Sequence, residues 1–389
     1  MQKKPIVFAK SVFALSAIIA HASALAAEGP ITLYGNLYVS FENVKASGST
    51  VASNDIAARS RVSSNSSNIG MRGTESLGGG LEAWFQVENS VRPDSPQAGD
   101  TFGSRNSGVG LKGDWGSILL GQWDTPYKNA TTRLDPFGNT SIAGYTNILG
   151  GNTTSTSANA ATRQGFDRRQ RNVIQYWSPA AAGFSARFAY SANEEKGTCS
   201  VVCDPSLISM SITYRGGPLF LAAATERHNE YANTATVRTQ DTAAKFGAGY
   251  TIADNHTLGL VWEAIKYEGN LAATGLAKTF IRGTATEVKL KTYFVSYKGG
   301  FGRHNIRASY GENQELKLDG GSAVNTKARF SAIGYGYEFS KRTEMMVFYS
   351  TIVNQANSRN DFAVNGVLGG IANNGADPKG LAVGIRHRL

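Results

Sequence analysis

Short and long connections alternate along this chain, and the segments between them are written with a period of two. In the first segment Leu33, Gly35, Leu37, Val39 and Phe41 fall on one side, and Thr32, Tyr34, Asn36, Tyr38 and Ser40 on the other. Leu81, Ala83, Phe85 and Val87 oppose Glu82, Trp84, Gln86 and Glu88 in the same way. Near the end, Leu381, Val383, Ile385, His387 and Leu389 oppose Ala382, Gly384, Arg386 and Arg388. Strand side chains alternate between two faces, whereas a helix gathers residues three and four apart, so these segments read as strands. Tight connections are expected at 75–79, 113–115, 178–183, 216–217, 253–255, 299–302 and 340–342. Long ones are expected at 43–58, 93–102, 124–167, 192–205, 228–240, 268–286, 313–326 and 353–378. Seven turns and eight loops imply sixteen strands, with both ends of the chain on the short-turn side. A soluble sandwich has no reason to sort its loops by length, but a barrel crossing an outer membrane does. The fold class is therefore all-β: a 16-stranded antiparallel transmembrane β-barrel.

Composition agrees. A hydrophobic content of 41% and a mean hydropathy of −0.24 are too polar for a bundle of membrane helices, and 10% aromatics are too many for a disordered chain. A barrel shows lipid only one face of each strand, so its average looks soluble. Residues 1–26 read as a secretory signal peptide, cleaved after 26 or 27, with 27–389 as the barrel. Lys3, Lys4 and Lys10 precede the apolar run Ser11–Ala20, and Ala24-Leu25-Ala26 is the small-x-small site. The formal charge is +10; without the three signal lysines it is about +7. Export, and the lack of a reading motif beside any basic cluster, argue against nucleic acid and leave an anion-favouring interior. Cys199 and Cys203 stand as C-x3-C in a polar loop. In an exported chain this is first a disulfide, with free thiols or a metal site as alternatives; no histidine lies nearby to complete a metal site.

Catalysis finds no support. His228, His256, His304 and His387 are scattered over turns, a loop and a strand end, and no G-x-S-x-G, H-E-x-x-H or phosphate-loop motif is present. No enzyme activity, cofactor or metal is expected. A non-conducting surface or adhesin barrel is the other reading; it would need bulky side chains filling the lumen, against the many Gly, Ser and Asn here. The connection at 124–167 is out of scale, since loops beyond about fifteen residues are usually functional or disordered.

Several segments carry a family resemblance. They are Ile31-Thr32-Leu33-Tyr34-Gly35, the run from Ile69-Gly70-Met71-Arg72-Gly73 through Gly78-Gly79-Gly80-Leu81-Glu82-Ala83, and Val109-Gly110-Leu111-Lys112-Gly113-Asp114-Trp115-Gly116. Leu120-Gly121-Gln122, Asp135-Pro136-Phe137-Gly138, Tyr176-Trp177-Ser178-Pro179 and Gly384-Ile385-Arg386-His387-Arg388-Leu389 follow in order. Together they resemble the trimeric general porins of Gram-negative outer membranes, in particular the β-proteobacterial branch. The resemblance implies a homotrimer with a water-filled pore per chain for passive diffusion of small hydrophilic solutes and ions. It also implies an inward-folded third external loop, and contacts with outer-membrane lipid, lipopolysaccharide and the barrel-assembly machinery. In that family a basic cluster on the wall faces acids on the loop. The matching wall positions are Asn68, Gln122 and Arg171, and Asp135 is the nearest loop carboxylate. Leu389 stands where the family ends in an aromatic, which implies weaker recognition during assembly.

Parity assigns further lining residues. A Lys or Arg facing lipid at mid-membrane costs about 2–4 kcal/mol, so with Ile69 and Met71 outward, Asn68 and Arg72 point inward. Glu82, Gln86 and Glu88 line the third strand, and Arg169, Arg171 and Gln175 share a face expected to be the lumen. Arg72, Arg169 and Arg171, with few opposing acids, imply mild anion preference, with Arg171 in the filter. Trp123 and Tyr127 are candidates for a ledge favouring sugars or small organic and aromatic acids. Tyr34, Phe41, Trp84, Trp115, Tyr190, Tyr214, Tyr267, Tyr297 and Tyr349 are candidates for the aromatic girdles.

Overall fold

The computed structural model describes residues 31–95, 102–151, 157–158, 165–192, 203–231, 238–269, 285–368 and 374–389. The proposed signal peptide and Cys199 lie outside them. Sixteen barrel strands run through these residues. They are β1 (Thr32–Ser47), β2 (Ile56–Ser64 continued by Asn68–Gly78), β3 (Leu81–Ser90), β4 (Ser107–Gly113) and β5 (Gly116–Asp124). Next come β6 (Arg169–Trp177), β7 (Phe184–Ser191), β8 (Ser206–Gly216), β9 (Leu219–Asn229), β10 (Gln240–Ile252) and β11 (His256–Glu268). The last are β12 (Glu287–Phe301), β13 (His304–Asn313), β14 (Ala328–Glu338), β15 (Thr343–Asn354) and β16 (Asp377–Arg388). Each pairs antiparallel with its neighbours, and β1 pairs with both β2 and β16, which closes the sheet and removes its edges. The expected order of short turns and long loops is the observed one.

Alternation sorts the wall. Phe41 of β1 lies opposite Val62 and Val383, and these side chains are 58%, 54% and 45% exposed on the outside. The same pattern repeats in Leu120, Phe246, Leu260 and Ile333, an outward apolar surface that only lipid or another subunit can cover. The turns have the backbone they need: Ala253 and Asp254, in the three-residue connection between β10 and β11, both take positive φ (48° and 66°), the left-handed conformation that lets the chain reverse tightly.

The described parts of the long third connection, 125–151 and 165–168, pack against the inner face of the wall. Thr125 accepts the Lys128 N–H at 3.3 Å, and Pro126 opens a short helix α1 (Pro126–Thr131), a standard helix start. Beyond it, apolar loop side chains sit where the facing wall residue is glycine. A Cβ on Gly247, Gly249 or Gly259 would come within 2.9, 2.8 and 3.4 Å of Leu134. Gly334 makes room for Phe137 (2.8 Å), Gly380 for Ile142 (2.5 Å) and Gly311 for Ile148 (2.6 Å). These four loop side chains are at most 3% exposed, each contributing about 1.5–3 kcal/mol of burial. The glycines that suggested an open lumen are therefore sockets along β10–β16.

Candidate pore constriction

Polar contacts fix the loop from its start to past its middle. Glu263 of β11, fully buried, accepts the Tyr127 hydroxyl at 2.7 Å and the Gly150 N–H at 2.7 Å. Lys245 of β10 places its ammonium 4.1 Å from the centre of the Tyr127 ring. The Tyr127 N–H donates to Ser209, and Ser296 and Ser350 donate to the carbonyls of Leu134 and Ile142 at 2.6 and 2.8 Å. Burial and the neighbouring Glu263 carboxylate push the Tyr127 phenol well above its usual range, so it stays a donor.

A charged cluster lies at the start of the loop. Asp124 meets Lys128 and Arg169, each at 3.2 Å, and accepts from Asn106; Lys128 also reaches Asp167 at 3.8 Å. Arg169 further donates to Asn106 at 2.7 Å, Arg105 pairs with Glu88 at 2.5 Å, and the Tyr34 hydroxyl donates to Glu88 at 3.1 Å. Every wall carboxylate here has a cationic partner. Deeper in the lumen the balance changes. Arg72, Arg133, Arg187 and Arg215 are exposed and make no ion pair among the described residues. Arg133, on the loop, lies 4.5 Å from the Phe220 ring centre, and Arg215 of β8 lies 5.8 Å from the same ring. Burial and this like-charged neighbour lower the pKa of Arg133.

Asn68, Arg72 and Glu82 face inward as parity implies, while Arg169 joins the Asp124–Lys128 cluster from the very start of β6, beyond the bulge described below. Asn68 donates to the Ser66 carbonyl at 3.3 Å, Glu82 pairs with Lys112 at 2.9 Å, and Arg169 is only 2% exposed, held by its partners. Gln122 and Arg171 are corrected: both lie on the outward face. Gln122 pairs with Ser107 two residues beyond the outward Leu120–Val109 pair, and so on the same face; it donates to the carbonyls of Ser104 and Arg105, and accepts from Arg171 at 3.1 Å. The cause is a bulge. Gly121 pairs with Val173 but Trp123 pairs with Gln170, leaving an extra residue in β6 where Asn172 takes φ 50°. Strict alternation would have joined Arg171 to Val173. Tyr34, Trp84 and Tyr267 leave the girdle for the inner face, and Tyr127, fully buried, offers no ledge. Arg187 and Arg215 were missed, although Ser185 and Arg187 alternate in sequence with the outward Phe184 and Phe188.

Asp135 is also corrected. It is 6% exposed and turned into the loop, where it accepts the N–H groups of Phe137, Asn139 and Tyr145 at 2.7–2.9 Å. Burial pushes its carboxyl up to about 6 against these donors. The docked loop thus binds more protons than a solvated one between the ordinary carboxylate pKa and about 6, so docking strengthens as pH falls through that window and is weakest above it. Loop-derived current noise is expected to drop between pH 7 and pH 5. Noise that stays flat or rises on acidification would refute this. Among the described residues no cluster could hold a metal, and Cys203 is disulfide-bonded.

Comparison with known proteins places this geometry. The family model of Gram-negative porins matches residues 14–357. The chain is 27% identical to outer membrane porin protein 32 of Delftia acidovorans, covering 97% of this chain and 99% of that one. It is 26% identical to an outer membrane porin protein of Bordetella pertussis, covering 98% of this chain and 100% of that one. The solved anion-selective porin from Comamonas acidovorans superimposes with a TM-score of 0.75 at 24% identity, over 93% of this chain and all of that one. The chain belongs to the Gram-negative porins, channel-forming barrels of the outer membrane.

Proposed function

We propose that this porin passes small hydrophilic solutes with a preference for anions, one pore per chain in a homotrimer. The observation that carries the reading is the charge balance. Arg72, Arg133, Arg187 and Arg215 face the lumen without ion pairs among the described residues, while Glu88, Asp124 and Asp167 have cationic partners. A narrow passage lined by one sign of charge raises the local concentration of the opposite ion. The solved anion-selective porin from Comamonas acidovorans, with the same fold, supports it, and a Vibrio cholerae outer membrane protein solved in trimer form supports the assembly. Residues 1–26 as the export signal and Cys199–Cys203 as an oxidised loop pair belong to the same reading, as do lipopolysaccharide and the barrel-assembly machinery as partners. The test is single-channel recording of purified protein in planar bilayers under a KCl gradient. Stepwise triplet openings with a chloride-favouring reversal potential are expected. A potassium-favouring potential overturns the anion preference, and folded protein without conductance overturns the channel.

A further inference from the structure

Three of the five tryptophans of the chain meet on the inner wall, where water should be the neighbour. Trp84 of β3 and Trp177 of β6 stack at 5.6 Å with an interplanar angle of 28°, and Trp123 of β5 closes on both at 5.8 and 5.4 Å. The indole reaches across β4 because Gly110 has no side chain; a Cβ there would lie 2.8 Å from the Trp84 ring. Leu119, Val173 and Ala189 are sealed beneath. The result is a dry aromatic shelf in a hydrated passage. It is not completely buried, as a purely structural cluster would be: Trp84 and Trp177 stay partly exposed, bordering a recess of about 350 Å³. Both indole N–H groups are already engaged, Trp84 with Ser117 and Trp177 with Gln175, so what remains on offer is ring surface. Cations frame it. Arg187 lies 5.0 Å over the Trp177 ring, and Arg72 and Lys112 border the recess; Glu82, held by Lys112, is the carboxylate in contact with that frame.

We infer that this shelf is a subsite for planar aromatic carboxylates in transit, the ring stacking on indole while the carboxylate meets Arg187 and Arg72. The inference rests on the anion-favouring channel above and names the solute class its wall selects. A small aliphatic acid satisfies the arginines but leaves the shelf wet; an aromatic acid covers both.

The test uses the intact porin in bilayers and three monocarboxylates: acetate, cyclohexanecarboxylate and benzoate. First, KCl conductance and reversal potential alone establish that the channel is open and favours anions; if they do not, the channel reading fails rather than the subsite. With an open channel, benzoate is expected to reduce the chloride current at a concentration about five- to tenfold below acetate, the range set by aromatic and cation–π contacts. Cyclohexanecarboxylate, similar in size and charge, should fall nearer acetate. Trp177→Leu is expected to remove the benzoate advantage while KCl conductance persists. Benzoate equal to acetate overturns the subsite, and benzoate equal to cyclohexanecarboxylate overturns its aromatic character. Should Trp177→Leu not fold, quenching of intrinsic tryptophan fluorescence in the wild-type porin decides: saturable quenching by benzoate supports the shelf, and none overturns it.

Discussion

Glu263→Leu is expected to yield a porin with larger and noisier unitary conductance. One carboxylate holds two distant points of the third loop, the Tyr127 hydroxyl at its start and the Gly150 N–H past its middle, each at 2.7 Å. Together with Asp167 and Glu226 it also acts on Lys245, which is 1% exposed. Removing the acceptor leaves two buried donors unsatisfied, at a cost of about 1–3 kcal/mol each. The barrel ladder does not depend on this contact, so the cost falls on docking of the loop. Tyr127→Phe removes a single hydrogen bond and should cost about 1–3 kcal/mol, with a smaller rise in noise. The leucine, phenylalanine and wild-type channels should therefore form a graded series in open-channel noise, and in protease sensitivity of the loop. Wild-type conductance and noise in Glu263→Leu would mean that the glycine sockets alone hold the loop.

The outer half of this architecture was open to reading because lipid imposes a strict rule on it. A strand such as Leu381–Leu389 must show apolar residues at every second position, so the pattern, the turn order and the strand count could be taken from sequence. The inner face obeys no such rule. Gly247, Gly249 and Gly334 look like spare lumen until Leu134 and Phe137 are seen to occupy them, a pairing between segments far apart in the chain. Asp135 looks like a free loop acid, yet it spends both oxygens on backbone N–H groups of its own loop. The error over Arg171 is of another kind. Parity carries a residue to the right face only while the ladder is regular, and Asn172 at φ 50° interrupts it. A non-glycine residue in that conformation leaves little trace in composition, although asparagine tolerates it best.

That bulge supplies the control for the second large effect. Replacing Arg133, Arg187 and Arg215 together by glutamine is expected to lower the chloride-to-potassium permeability ratio on the order of tenfold. A unit charge about 7 Å from a passing ion is worth roughly 0.6 kcal/mol at the dielectric of water, and screening at physiological salt cuts this to about half. The anion gains what the cation loses, so each arginine shifts the ratio about threefold. These three are open to such an effect because no carboxylate neutralises them among the described residues. Arg169, paired with Asp124 at 3.2 Å, should contribute much less. Arg171→Gln should leave the ratio unchanged, since its guanidinium lies outside the wall against Gln122. A triple lysine variant keeps the charge and changes the shape, and should retain the preference. Reversal potentials in a KCl gradient read all three variants on one scale. If Arg171→Gln shifts the potential as far as the triple glutamine variant does, the filter sits at the bulge and the lumenal arginines are not its source.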